Sequence, residues 1–398
     1  MKKNQLIKLP NFLFWHLGYP FVKFFLKIKL NLKSEKLNFK EIKGPCVILG
    51  KHQSIYDPLI MGISSYPRRI NFIGGYTYFY NNFLSILFKL LQVIPKFQYQ
   101  NDILAMRKIM EVKEKGGIIG LFPTGRLPSC GVGQPTTDSL TKLLIKMKIP
   151  VYFLNIEGAY LSSPKWAVNK RRGEVHSSVC LLIPEEKLVN ENLEVLTRLI
   201  NKKLYYNEYE WQKKNMIIYK GKNLAEKLEN ILYKCPSCGT EFMTKSYNNH
   251  IQCRKCRMDL TIDEYGFFKE NSFFDSPLDW YIYQEKMVNE EIRNNQVFLK
   301  SKAKVYSPNQ KTKKIELLGE GIVELIKGKE IVFVDSYSKD KLIFDLKNVQ
   351  SLPYRAGENF EISKNMGIYK FVLENGQESV KWSIVVEQIY KEKLKSLS

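Results

Sequence analysis

The segment Lys51-His52-Gln53-Ser54-Ile55-Tyr56-Asp57 places a histidine five residues ahead of an aspartate, directly after the apolar run 47–49 and Gly50. Acyl transfer to an alcohol needs a base that takes the hydroxyl proton as the oxygen attacks a thioester carbonyl, and neutral imidazole suits that role near pH 7. A turn between the two residues would fold Asp57 back onto the second ring nitrogen of His52, fixing the tautomer and stabilising the imidazolium. The attacking serine of a triad is then replaced by the substrate's own hydroxyl. A second element, Phe122-Pro123-Thr124-Gly125-Arg126, closes the apolar run 118–122. Arg126 offers a planar fork to a phosphate, and Gly125 lets the backbone approach closely. Singly, each motif also fits a bland role, a structural histidine or a solvated arginine on a turn. In open α/β sheets, however, ligands gather at the carboxyl ends of strands, so both motifs are expected to open onto one crevice.

A different chemistry is written in Cys235-Pro-Ser-Cys238 and Cys253-Arg-Lys-Cys256, two C-x2-C knuckles separated by fourteen residues. Four thiolates at this spacing predict a closed, tetrahedral structural zinc site of ribbon type, one ion per chain, with no position left for catalysis. His250 lies between the knuckles and is the alternative ligand. The remaining cysteines, Cys46, Cys130 and Cys180, form no spaced set. An odd count without a secretory signal is expected of reduced thiols in a cytoplasmic setting.

The elements that must position these residues follow from apolar periodicity. Runs 47–49, 70–73, 118–122, 151–156 and 174–183 read as strands, and 82–91, 103–115 and 139–148 as helices, an alternation that implies an α/β domain. A polar, mostly helical connector is expected over 190–232 and a helix over 277–294. Beyond it, strand candidates at 297–306, 314–326, 330–334, 341–345, 361–362, 369–374 and 379–382 are separated by turn signals such as Asn375-Gly376, and a last helix is expected over 385–397. Short strands followed by one helix resemble, by pattern, a pleckstrin-homology-like or GRAM-like barrel.

Taken together, the first two motifs resemble the 1-acylglycerol-3-phosphate (lysophospholipid) acyltransferase family, whose first motif is N-H-x4-D and whose third is F-P-E-G-T-R. His52, Ser54 and Asp57 match the first, with Lys51 where Asn is usual. The apolar stretch 83–96 looks like the second, with Lys96 where Arg is commoner, and Ile149-Pro150-Val151-Tyr152-Phe153 looks like the fourth. The likeness spans about residues 40–185. It implies His52 and Asp57 as the catalytic pair and Lys96, Thr124, Gly125 and Arg126 as substrate-binding residues. It also implies lysophosphatidic acid as acceptor, phosphatidic acid as product, and acyl-CoA or acyl-carrier protein as donor. Thr124 replaces the family's Glu, and the Thr between Gly and Arg is missing. Thr124 keeps hydrogen-bonding capacity without the charge.

The expected architecture is therefore α/β: an acyltransferase domain with a mixed central sheet flanked by helices, then a zinc ribbon and a small β-rich barrel with a C-terminal helix. The boundaries are a membrane-interface segment 1–43, the acyltransferase domain 44–190, a connector 191–232, the ribbon 233–265, a helical linker 266–294 and the β domain 295–398. At 398 residues the chain has room for two or three domains, and 44% hydrophobic and 13% aromatic residues exclude a disordered polymer.

Lys and Arg number 62 against 40 Asp and Glu, a net +22 that favours anionic lipid, phosphorylated substrates or nucleic acid. Residues 1–43 hold ten lysines against Glu35 and Glu41, interleaved with Phe12, Phe14, Trp15, Tyr19, Phe21, Phe24 and Phe25. This suits a helix or broken helix pair in the interface of an anionic membrane, attached peripherally or monotopically on the cytoplasmic face. The alternative is an amphipathic helix packed on its own domain. The stretch 12–26 is too short and too interrupted, by His16, Gly18, Pro20 and Lys23, to read as a spanning helix or a signal peptide. Two other functions remain open at this point: a catalytically impaired lipid-binding relative, and a zinc-ribbon protein that binds nucleic acid. The even spread of charge weighs against nucleic acid, since residues 295–398 carry only +5.

Overall fold

Alternate residues of Cys46-Val47-Ile48-Leu49 enter two separate apolar clusters, Val47 and Leu49 one, Cys46 and Ile48 the other. That is the signature of a strand buried on both faces. The computed structural model describes residues 6–35, 37, 44–98, 100, 102–269, 273–309, 312 and 314–397. Of the expected N-terminal charges, Lys2, Lys3, Lys36, Lys40, Glu41 and Lys43 lie outside the described residues. The chain divides into two compact units, Met1–Pro164 with Lys170–Lys220, and Lys165–Asn169 with Gly221–Ser398. The divide falls inside the expected connector, and the segments expected as ribbon, linker helix and β domain share the second unit.

In the first unit the strands are β1 (Leu32–Glu35), β2 (Cys46–Gly50), β3 (Ile70–Gly75), β4 (Ile94–Lys96), β5 (Ile118–Leu121), β6 (Val151–Glu157) and β7 (Val175–Ile183). They form a mixed sheet in the order β1-β7-β6-β2-β5-β3-β4. The run from β6 to β4 is parallel, and β7 pairs antiparallel with β6. One face is covered by α4 (Ile103–Glu114), α5 (Asp138–Met147), α7 (Glu185–Asn190) and α8 (Leu193–Leu204), through Ile109, Val112, Leu144, Leu188 and Ile200. The other is covered by α1 (Phe12–Leu30) and α2 (Asp57–Ser64), through Trp15, Leu26, Leu30, Ile60 and Met61. The helices α3 (Asn82–Leu90), α6 (Ala159–Ser162) and α9 (Glu208–Asn215) complete this unit, with a short 3-10 turn at Tyr76–Tyr80.

Chain order explains the site's position. From β2 the chain passes to β3, beyond β5; from β5 it passes to β6, on the far side of β2. The adjacent strands β2 and β5, in register at Leu49 and Leu121, thus lead away in opposite directions. Such a switch point opens a crevice at the carboxyl ends of the strands.

In the second unit a three-stranded antiparallel sheet, β8 (Thr244–Tyr247), β9 (His250–Cys253) and β10 (Asp259–Thr261), carries the cysteine knuckles. Helix α10 (Pro277–Arg293) starts from a capping box of Ser276 and Asp279. The strands β11 (Lys300–Pro308), β12 (Ile315–Ile326), β13 (Glu330–Asp335), β14 (Lys341–Asp345), β15 (Tyr354–Arg355), β16 (Asn359–Lys364) and β17 (Gly367–Leu373) form an antiparallel half-barrel ordered β14-β13-β12-β11-β17-β16-β15. Helix α11 (Glu378–Leu397) packs on it through Trp382, whose ring stacks on Phe360 at 5.1 Å.

Three expectations change. Residues 379–382 are the first turn of α11 and not a strand, because Asn375 accepts from the Gln377 N–H at 3.3 Å and opens a helix. The connector is helical only to Asn215; Met216 adopts φ +47, and the following chain buries Leu224, Leu228, Ile231 and Leu232 with little regular structure. Of the N-terminal segment, expected at the membrane interface as a helix or broken helix pair, residues 12–30 form one helix around Pro20 and residues 32–35 instead join the sheet as β1.

Candidate active site

His52 leaves β2 on a turn that returns to Asp57 at the start of α2, where Pro58 suits the first helical turn. His52 Nδ1 lies 2.9 Å from Asp57 Oδ2. The same oxygen accepts from the backbone N–H of Gln53 at 2.5 Å and of Ser54 at 2.9 Å, and Asp57 Oδ1 accepts from the Ser54 hydroxyl at 2.8 Å. Asp57 is fully buried at the positive end of α2, and its two oxygens accept from four donors. With Nδ1–H donating to Asp57, a neutral His52 ring presents its lone pair at Nε2. Gln53 is itself fixed, its Nε2 donating to the Ile156 carbonyl at 2.8 Å on β6.

The two expected motifs meet. Phe122, at the end of β5, stacks on the His52 ring with centroids 4.7 Å apart. Gly125 holds φ +64, a conformation that favours glycine, and its carbonyl accepts from Gln98 Nε2 in the loop after β4. The Thr124 hydroxyl donates to the Arg126 carbonyl at 3.2 Å, closing the loop on itself. Arg126 is largely buried, its Nη2 bonded to Gln134 Oε1. Lys96 stands at the end of β4, on the same edge of the sheet, with its ammonium donating to the carbonyls of Phe97 at 3.2 Å and Gln100 at 3.4 Å. Burial lowers its pKa, partly offset by Asp102. Gln98, two residues past Lys96, thus braces the Gly125 loop.

Sequence reasoning missed the residues behind His52. Tyr206, between α8 and α9, donates to the His52 carbonyl at 3.3 Å, and its own carbonyl accepts from the Gly133 N–H at 3.0 Å. Next to it the Glu208 N–H donates to Gly131 at 2.9 Å. A strut from the connector therefore ties the His52 turn to the chain just past Arg126. The Lys51 ammonium lies 5.5 Å from the centre of the Tyr206 ring, and burial lowers its pKa against the pull of Glu157 and Glu208. Burial also pushes the Glu208 carboxyl up to about 8. The one available signal was Lys51 in place of Asn, a change that calls for a carboxylate or aromatic partner. Nothing in spacing could point some 150 residues ahead to Tyr206.

In the second unit the four Sγ atoms of Cys235, Cys238, Cys253 and Cys256 lie within 4.8 Å of one another, with Cys235 to Cys256 at 3.6 Å and Cys238 to Cys253 at 3.8 Å. A tetrahedron of Zn–S bonds of about 2.3 Å requires sulfurs roughly 3.8 Å apart, so the donor set fits that ion. The Thr240 hydroxyl beside Cys238 and the Met258 N–H beside Cys256 hold these two thiols below their ordinary range, while burial pushes the Cys235 thiol up. His250 stands apart, 3.1 Å from Asp259 and stacked on Tyr247.

Among curated proteins no relative matches the chain. Among solved structures it is similar to the 1-acyl-sn-glycerophosphate (LPA) acyltransferase PlsC from Thermotoga maritima, at 15% identity over 48% of this chain and 76% of that one, with a TM-score of 0.41. It is also similar to the Ran binding domain of the nuclear complex component Nup2 from Ashbya gossypii, at 17% identity over 23% of this chain and 94% of that one, with a TM-score of 0.21. Both are too distant to assign an activity. Residues 29–157, about a third of the chain, match the family model described as Acyltransferase, and His52, Asp57, Lys96 and residues 122–126 all lie within that matched stretch.

Proposed function

We propose that the chain transfers a fatty acyl group from acyl-CoA or acyl-carrier protein to the free hydroxyl of a lysophospholipid, with lysophosphatidic acid as acceptor and phosphatidic acid as product. The observation that carries this reading is His52 bonded to buried Asp57 at a sheet switch point, beside an arginine-bearing loop, inside the matched segment. His52 Nε2 takes the hydroxyl proton as the oxygen attacks the thioester carbonyl. The tetrahedral intermediate then expels the thiolate, which receives that proton from the imidazolium while Asp57 holds the ring. An ester C–O bond forms and the thioester C–S bond breaks. Arg126, held by Gln134, and Lys96 are assigned to the acceptor phosphate. The Gly125 loop, braced by Gln98 and Thr124, takes over the ordering done by Glu in the resembled family.

Two accompanying assignments belong to this reading. The four cysteines hold one structural zinc, bound as thiolates in a closed shell. Helix α1, with Leu17, Phe21 and Phe24 exposed beside Lys23 and Lys27, docks peripherally on the anionic, cytoplasmic surface of a membrane. No helix among the described residues is long and apolar enough to cross a membrane.

The test is transfer of labelled acyl groups from acyl-CoA, and in parallel from acyl-carrier protein, to lysophosphatidate. His52→Ala is expected to lower turnover by roughly 10²- to 10⁴-fold, the usual contribution of general-base catalysis, and Asp57→Asn to keep the fold while losing most activity. Full turnover by folded His52→Ala protein removes the mechanism.

A further inference from the structure

Helix α3 has the composition of a core helix, Asn-Phe-Leu-Ser-Ile-Leu-Phe-Lys-Leu, yet none of its nine residues is buried. Its inner side is half-covered: Phe88 meets Phe79 of the preceding turn, with ring centres 5.1 Å apart. Its outer side presents Phe83, Ile86 and Leu90, spaced three and four apart as one stripe, with Phe83 75% and Ile86 62% exposed. The end of α3 meets the start of α1. The N–H of Asn11, the cap of α1, donates to the Leu90 carbonyl at 2.9 Å. From there Leu13, Leu17, Phe21, Phe24 and Ile28 form a second exposed apolar row along α1.

Charge selects the occupant. Residues 1–34 and 58–101 contain no Asp or Glu, while Lys8, Lys23, Lys27, Lys29 and Lys89 stand exposed along these helices. A second copy of the chain would set cation against cation across a two-fold interface. An anionic lipid surface instead takes the apolar rows into its acyl region and the ammonium groups at its headgroups. We propose that α3 is a second lipid-inserting element, which together with α1 seats the unit on anionic membrane. Because α3 follows β3 and leads to β4, it begins at the carboxyl edge of the sheet, the edge that bears His52 and residues 122–126. Seating it there holds that edge at headgroup depth. This inference rests on the membrane-docking part of the proposed function and is independent of the acyl-transfer chemistry.

Co-sedimentation of the full chain with vesicles of phosphatidylcholine and phosphatidylglycerol tests it, with no substrate present. Phe83→Asp combined with Ile86→Asp is expected to weaken binding about tenfold or more, since two apolar side chains leave the insertion. Leu17→Asp combined with Phe21→Asp is the control on α1. Loss of binding in the α1 variant alone overturns the role of α3; wild-type binding in both variants overturns membrane docking as a whole. A shift in oligomeric state by the α3 variant, with vesicle binding unchanged, assigns the stripe to a second copy and also overturns the proposal. Ile86→Trp supplies an independent readout, with brominated acyl chains expected to quench more fluorescence than in wild type. No added quenching means that α3 stays in water.

Discussion

Glu208 is a carboxyl buried behind the His52 turn, where its Oε1 accepts from the Leu161 N–H at 3.4 Å. Burial raises it from an ordinary 4.5 to about 8, with backbone N–H groups and Lys51 opposing. A carboxyl raised in this way binds more protons in the native than in the unfolded chain at intermediate pH. Its contribution to stability is therefore fully present below 4.5 and is lost as pH rises through about 8. Glu208→Gln keeps an acceptor for Leu161 but cannot ionise. The variant's melting temperature is expected to fall less than that of wild type between pH 5 and pH 9, as followed by circular dichroism. Parallel curves for the two proteins would mean that Glu208 is ionised throughout, paired with Lys51.

At the scale of elements, the contact between the two motifs depends on a residue without a side chain. A Cβ on Gly50, the last residue of β2, would stand 2.6 Å from the Phe122 ring and 2.8 Å from Met61. Gly50→Ala is expected to displace Phe122 from the His52 ring, cost about 1–3 kcal/mol as overpacking does, and lower acyl transfer while leaving secondary structure intact. Wild-type turnover in that variant would show that the stacking of Phe122 on His52 does no work. Strands and helices around this contact were legible because each is either a short unbroken apolar run or carries one clear period: β2, β3, β5, β6 and β7 and helices α3, α4 and α5 lie within a residue or two of their expected bounds. The His52 to Asp57 turn was legible for the same reason, being local. The first turns of α11 were not. There residues 379–388 are all buried, so the helix loses its amphipathic stripe and its apolar run imitates a strand. The Tyr206 strut and the Gln98 contact were out of reach because both join residues far apart in sequence through the fold alone.

Within the second unit the cysteine cluster is tied into everything around it, which sets the outcome of metal removal. Trp280 of α10 is fully buried and donates from Nε1 to the Lys234 carbonyl at 2.7 Å, one residue before the first knuckle. Gln284 accepts from the Lys234 N–H at 3.0 Å and donates to Ile231 at 2.9 Å. Lys234 and Lys381 share Glu241 and Glu291, joining the knuckle to α10 and α11, with Lys234 2.7 Å from Glu291 and Lys381 2.6 Å from Glu241. Gln377 donates to the carbonyls of Glu229 and Thr244. Spacing alone suggests a ribbon that melts by itself over 235–256, but these buried bonds would be orphaned by such melting, at a cost of about 1–3 kcal/mol for each unsatisfied group. Structural zinc contributes on the order of 10–16 kcal/mol in zinc-finger peptides, against roughly 5–15 kcal/mol for the whole stability of a typical domain. Chelation of the proposed zinc is therefore expected to unfold more than the knuckles. Hydrogen exchange should report lost protection in α10 and the first half of α11 together with residues 235–256, while the two apolar clusters flanking the sheet of the first unit, built wholly from that unit's residues, keep theirs. Protection lost over 235–256 alone would mean that the half-barrel holds α10 and α11 without the metal.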